Sequence, residues 1–149
     1  MIIIKQHKMD MDHGYWDWGL DTMDFSDKNT FSCDINVIGD SKVGKSSILC
    51  QYMNGYFEEF PAQSNSIVLN HKLVEIDGKK ISTTFWDFPG VGLNRHVRPP
   101  IIQDSKGIIL VYDITNEDSF DNILGFWTDK CTLYAPEAVK FLIGNKCES

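Results

Sequence analysis

The chain has 149 residues, 42% hydrophobic and 23% charged, which is the composition of one ordinary globular domain and excludes wholesale disorder. A chain of this length hides roughly two-thirds of its unfolded surface on folding. Fourteen basic against 21 acidic residues give a net charge of −7, which excludes a general binder of nucleic acid or anionic membrane. Any phosphate must be held at a local site.

No apolar run approaches the ~20 residues that a membrane helix needs. Met1 to Ile4 is apolar, but Lys5, His7 and Lys8 follow at once, so no signal-peptide core forms. Cys33, Cys50, Cys131 and Cys147 are widely spaced, with no CxxC pair. They read as buried or free thiols in a reducing compartment, and a cytoplasmic location is expected. Lys146 to Ser149 carries no prenylation pattern, so no membrane anchor is expected in this chain. His71 and His96 are isolated and expected at the surface, and no His or Cys cluster suggests a metalloprotein.

Two compositions meet near residue 30. Residues 1–30 hold Asp10, Asp12, Asp17, Asp21, Asp24 and Asp27, few branched aliphatics after Ile4, and no sustained period. They are expected to form a mobile acidic arm ahead of a domain spanning 31–149. Tyr15-Trp16-Asp17-Trp18 reads either as an aromatic-acidic docking peptide or as chance aromatics in a tail.

Phe31 to Ile38 is a strand candidate ending at Gly39. Ser46 to Tyr56 reads as a helix, with Ile48, Leu49, Tyr52 and Met53 at helical spacing. Ser66 to Ile76 and Lys80 to Asp87 flank Asp77-Gly78, a strong hairpin signal. The continuous apolar run Gly107 to Asp113 suits a strand buried on both faces. Ser119 to Ala135 places Phe120, Ile123, Leu124, Trp127 and Cys131 on one helical stripe, which Pro136 ends. Val139 to Ile143 is expected as a second buried strand, running into Gly144-Asn145. Strands alternating with helices predict an α/β domain with a mostly parallel sheet and one antiparallel hairpin. Ligands of such sheets sit at the carboxyl ends of the strands.

Gly39-Asp40-Ser41-Lys42-Val43-Gly44-Lys45-Ser46 satisfies the pattern GxxxxGK[ST], between a predicted strand and a predicted helix. The two glycines permit backbone dihedrals that gather successive N–H groups around an anion. The helix start adds its positive dipole end. Lys45 supplies a point charge for β- and γ-phosphates, and the Ser46 hydroxyl can ligate Mg²⁺. Asp87 ends the hairpin's second strand, where a carboxylate can hold Mg²⁺ opposite the phosphate loop; Gly90 offers a backbone N–H toward a γ-phosphate. Asn145, Lys146 and Glu148 follow the last strand. A carboxylate there can accept from the two guanine donors at N1 and N2, which adenine lacks, so the preference points to guanine.

Together these residues, from about Phe31 to Glu148, resemble the Rab branch of the Ras superfamily of small GTPases. Gly39 to Ser47 looks like the family's phosphate loop. Asp77-Gly78-Lys79 with Trp86-Asp87 looks like its hairpin, and Gly107 to Thr115 with Ser119-Phe120 and Trp127 is the most Rab-like stretch. The resemblance implies a P-loop NTPase three-layer sandwich that binds GTP and GDP with Mg²⁺. It implies a switch that recruits effector and regulatory proteins, typically in vesicle traffic. It also puts Ser64 at the position of a Mg²⁺-binding threonine.

The departures are specific. Val91 stands where the family has the glutamine that orients the attacking water, and a valine cannot replace it in that role. Pro89 fixes a backbone angle in a segment that must move, and Arg98-Pro99-Pro100 is expected to break the switch helix. Asn65-Ser66-Ile67-Val68-Leu69 replaces the usual effector segment. Glu148 replaces an aspartate and carries its carboxylate about 1.5 Å farther out. Asn36 falls at an inward strand position that is usually apolar. The chain stops in the guanine motif, so the family's last helices and strand are expected to be missing and an apolar sheet face to be left uncovered. Three readings stay open on these grounds. The first is a GTP-binding switch with slow or absent hydrolysis. The second is a non-catalytic module that binds a protein partner. The third is a truncated product.

Overall fold

The structure, a computed structural model, describes residues 4–8, 30–56, 66–89 and 99–147. Its elements in chain order are β1 (Ile4–Lys8), β2 (Thr30–Ile38), α1 (Lys45–Asn54), β3 (Val68–Ile76), β4 (Lys79–Asp87), α2 (Pro99–Gln103) and β5 (Gly107–Asp113). Next come α3 (Glu117–Asn122), a π-helical turn (Ile123–Trp127) and α4 (Thr128–Tyr134), wound continuously, and then β6 (Val139–Asn145).

The six strands form one sheet in the order β1-β3-β4-β2-β5-β6. The β2·β4, β2·β5 and β5·β6 pairs are parallel, and β3·β4 is the expected antiparallel hairpin. Its turn residues Asp77 and Gly78 have φ of 52° and 72°. Positive φ at both central positions matches the right-handed twist of the flanking strands.

Side chains alternate between two cores, one on each face of the sheet. Val37, Phe85 and Val111 point to the face where Leu49 and Met53 of α1 pack. Ile38, Ile108 and Leu110 point to the opposite face, against Ile102, Ile123, Trp127 and Cys131. Helices on both faces make the three-layer α/β sandwich that the sequence predicts.

Several expectations are corrected. Ile4–Lys8, inside the predicted arm, forms a strand antiparallel to β3, with Gln6 opposite Asn70, and is an edge of the sheet among the described residues. Residues 9–29, including the Tyr15 to Trp18 segment, lie outside the described residues. Pro99 and Pro100 open a short helix, where the missing N–H costs no intrahelical bond; the residues before them, on which the expected break of the switch helix falls, lie outside the described residues. β6 is the sheet's edge among the described residues, not a buried strand: Val139, Phe141 and Leu142 are all more than half exposed. Leu124, in the π turn beside the buried Ile123, also leaves the predicted stripe, at 61% exposure. His71 is half-buried, its Nδ1 3.1 Å from the Thr84 hydroxyl. All four cysteines are free thiols, and burial pushes that of Cys131 up to about 11.

Asn36 is fully buried on the same face as Ile38. Its Nδ2 donates to the Ile101 carbonyl at 3.3 Å and to the Ser105 hydroxyl. The polar residue at an apolar position thus fastens the end of α2 to the central strand.

A phosphate loop at the carboxyl ends of the parallel strands

Four residues or motifs singled out by chemistry sit at the ends of four neighbouring parallel strands. Gly39 follows β2, Asp87 ends β4, Asp113 ends β5 and Asn145 ends β6. The chain runs from β2 to the hairpin on one side and returns to β5 on the other, so β2 borders the topological switch point.

The loop from Gly39 to Gly44 is shaped by close approaches. Gly39 has φ 144°, and a Cβ there would lie 2.1 Å from the Val111 carbonyl oxygen. Gly44 has φ 96°, and a Cβ there would lie 2.1 Å from Asn145 Nδ2. Lys42 also adopts a left-handed φ of 65°. Gly44 caps α1 without a side-chain hydrogen bond, and no acidic residue lies in the first turn. The first N–H groups of α1 are therefore left for an external anion. Ser41 is half-buried, while Val43 and Ser47 are buried beneath the loop.

Lys45 is 5% exposed. Its ammonium donates to the Gly39 carbonyl at 3.0 Å and to the Asp40 carbonyl at 2.6 Å. Burial lowers its pKa, against the attraction of Asp87 and Asp40. Ser46 Oγ donates to Asp87 Oδ2 at 2.6 Å. The other oxygen, Oδ1, is buried and has no hydrogen-bond partner among the described residues. Burial raises the Asp87 pKa, opposed by the Ser46 bond and by Lys45. A hydroxyl and a carboxylate converging with one carboxylate oxygen unspent is a donor set that could hold a hard divalent cation.

Asn145 crosses from β6 to the loop, where its Nδ2 donates to the Val43 carbonyl at 2.8 Å. Lys146, in a left-handed conformation with φ 66°, pairs with Asp113 Oδ2 at 2.6 Å. Asp113 also accepts from the Thr115 N–H and hydroxyl at 2.9 and 2.7 Å. Lys146 and Thr115 lower the Asp113 carboxyl from 3.8 to about 2. Gly90, Val91, Ser64 and Glu148 lie outside the described residues.

Two predictions arise from this geometry. Gly44→Ala adds a Cβ at the position of the Asn145 amide and strains φ. It should cost about 1–3 kcal/mol of stability and release Asn145 from Val43, read as a lower Tm and changed Asn145 amide resonances. Asp113, with its folded pKa depressed, adds stability above about pH 4 that is lost as pH falls toward 2. Lys146→Ala should move the Asp113 carboxyl back toward its ordinary range in an NMR titration. It should also flatten that acid limb of a stability curve.

Sequence reasoning placed Asp40 in the loop but missed what holds its side chain. Trp127 Nε1 donates to Asp40 Oδ1 at 2.8 Å, and Asn122 Nδ2 donates to Oδ2 at 2.7 Å. It also missed Asp113 as the partner of Lys146. A readable signal existed there: Asp113-Ile114-Thr115 is an Asx-turn pattern directly after an apolar strand.

Glycines at a strand-to-helix turn, a buried lysine over the loop and a carboxylate facing the first helix define an α/β domain of the P-loop type. The Ras family matches residues 34–149, and the chain belongs to it. It is Rab-like within the superfamily. It is 34% identical to the Ras-related protein Rab-1C of Dictyostelium discoideum over 114 residues, 76% of this chain and 57% of that one. It is 34% identical to RABC2b of Arabidopsis thaliana over 116 residues, 76% of this chain and 56% of that one. Against Rab-15 of Homo sapiens the figure is 35% over 113 residues, 75% and 53% of the two chains. The chain thus spans little more than half the length of these relatives. No helix among the described residues is long and apolar enough to cross a membrane.

Proposed function

We propose that this chain binds GTP and GDP with Mg²⁺ and acts as a Rab-type switch for effector and regulatory proteins, in vesicle trafficking or signalling. One observation carries the reading. Lys45, the Ser46–Asp87 pair and Asn145 converge on one loop, and Asp87 Oδ1 has no partner among the described residues. The backbone of Gly39 to Ser47 cradles the phosphates, and the Gly90 N–H is assigned to the γ-phosphate by its place in the motif. Lys45 neutralises the β- and γ-phosphates, exchanging carbonyl contacts for phosphate oxygens. Ser46, Ser64 and Asp87 would hold Mg²⁺, which supplies positive charge to the phosphates. Asn145, Lys146 and Glu148 read the guanine edge, and Asn145 ties that reading to the loop through Val43.

Intrinsic hydrolysis is slow, because Val91 has no polar atom to orient water. Mass spectrometry of the natively purified protein should find guanine nucleotide bound. Single-turnover hydrolysis should run well below that of relatives carrying glutamine. Protein free of nucleotide, whose Tm millimolar GDP–Mg²⁺ leaves unmoved, would sink the reading.

A second reading, a non-catalytic interaction module, is favoured by two anchors. Phe88, directly after β4, is 1% exposed in the core, and Asn36 fastens Ile101 and Ser105. Both described flanks of residues 90–98 are thereby fixed to the sheet. Asn36→Val leaves the Ser105 hydroxyl and Ile101 carbonyl without their donor. It should cost about 1–3 kcal/mol and speed hydrogen exchange in α2 ahead of global unfolding. Identical exchange in GDP- and GTP-loaded protein would favour the module over the switch.

A further inference from the structure

The winding that follows β5 changes pitch where it passes the phosphate loop. α3 ends at Asn122, the π turn occupies Ile123–Trp127, and α4 resumes at Thr128. The Thr128 N–H donates to the Ile123 carbonyl, five residues back, as well as to Gly125. Its hydroxyl reaches the same Ile123 oxygen at 2.5 Å. In an α-helix, residues five apart face roughly 140° away from each other around the axis. The wider π winding, in which residue i+5 bonds back to residue i, brings them to nearly the same side. Asn122 and Trp127 are five apart, and both donate to one carboxylate, that of Asp40.

That carboxylate has one donor on each oxygen. Trp127 is 3% exposed and packs edge-on against Phe126, so its N–H has little freedom to leave. Asp40 is the loop residue whose carbonyl holds the Lys45 ammonium at 2.6 Å. The same residue therefore takes the helix's two donors on its side chain and presents Lys45's acceptor on its backbone. The loop around it contains three left-handed or glycine-only conformations, at Gly39, Lys42 and Gly44. A segment of that kind costs entropy to order when a ligand arrives, and an anchor made beforehand removes that cost from binding.

We propose that Asn122 and Trp127 are positioning residues of the phosphate loop. Through Asp40 they fix the peptide that parks Lys45, and so set how long a nucleotide's phosphates are retained. The retention half of this inference rests on the nucleotide-binding reading above. The π turn is what makes it possible, since an α-helical register would turn one of the two donors away. Any force that rewinds this turn would loosen the loop through Asp40.

The test uses two readouts on the full chain. The first is hydrogen exchange of the Ser41 to Gly44 amides without nucleotide. The second is the release rate of GDP carrying a fluorescent ribose label. Trp127→Phe keeps a ring and removes the N–H, while Asn122→Ala changes an exposed side chain. Trp127→Phe should speed both readouts about 10-fold and Asn122→Ala about 3-fold, as expected for a buried and an exposed bond to a charged group. Neither should add to Asp40→Ala, since both act through that carboxylate. Equal acceleration by Trp127→Phe with and without Asp40 would show that the ring acts by packing alone and would overturn the clamp. Unchanged loop exchange in both single variants would overturn it as well. Loop exchange that responds as expected in a protein that binds no labelled GDP would uphold the clamp and reject the nucleotide reading.

Discussion

Lys45→Met should weaken GDP and GTP binding by about 10- to 150-fold, the worth of a charge-assisted hydrogen bond of about 1.5–3 kcal/mol. The same variant should barely change the stability of the nucleotide-free protein. Two opposing effects produce that contrast. In the structure the ammonium is almost fully buried, and desolvation outweighs the attraction of Asp87 and Asp40, so its charge is a net cost there. Against this, the Gly39 and Asp40 carbonyls lose their donor when methionine replaces it. Once phosphate arrives, the ammonium gains an anionic partner and its desolvation is compensated. Titration calorimetry for affinity, with thermal melts of both proteins stripped of nucleotide, checks both halves. A variant that lost stability and affinity in parallel would show Lys45 to be a structural lysine.

The sheet and the loop were legible because their signals are local. Gly107 to Asp113 needed only its unbroken apolar run, and Asp77-Gly78 only the φ that a tight hairpin demands. Gly39 and Gly44 announced a loop whose crowding by Val111 and Asn145 the coordinates then supplied. What escaped depends on partners distant in sequence or on winding. The Asp40 clamp joins residues more than 80 apart, through a π turn that leaves no mark on a 3.6-residue period. β1 escaped because Ile4-Lys5-Gln6-His7-Lys8 has one apolar residue and no alternation to read; an edge strand needs only a ladder on one side. β6 reads as buried because its residues are apolar, yet apolarity does not say whether another element covers the strand. The Lys146–Asp113 pair escaped as the clamp did, since its two residues lie at the ends of different strands and no motif joins them.

Asp87→Asn should move function and stability in opposite directions. Asp87 has one oxygen bonded to Ser46 and the other buried without a partner among the described residues, and burial raises its pKa more than Ser46 and Lys45 lower it. An acid whose folded pKa lies above its unfolded value is favoured by protonation. The wild-type chain without nucleotide should thus gain stability from this group as pH falls through the raised value, and lose it again at neutral pH where the carboxylate is charged. Asparagine keeps an acceptor for Ser46 and removes the buried charge. The nucleotide-free variant should therefore melt about 2–4 °C higher at neutral pH, the scale of a gain near 1 kcal/mol. Its advantage should shrink on acidification. Binding should change the other way: with the anionic oxygen gone, Mg²⁺ should no longer slow GDP release, whereas chelating Mg²⁺ from the wild type should speed it by about 10-fold or more. Melts across pH and release rates with and without chelator separate the two effects. An Asp87→Asn chain that melts lower at neutral pH yet keeps its Mg²⁺ dependence would mean that this carboxylate serves the fold and not the ligand. Destabilised charge held ready at a strand end is the signature expected of a site that gives up stability for binding.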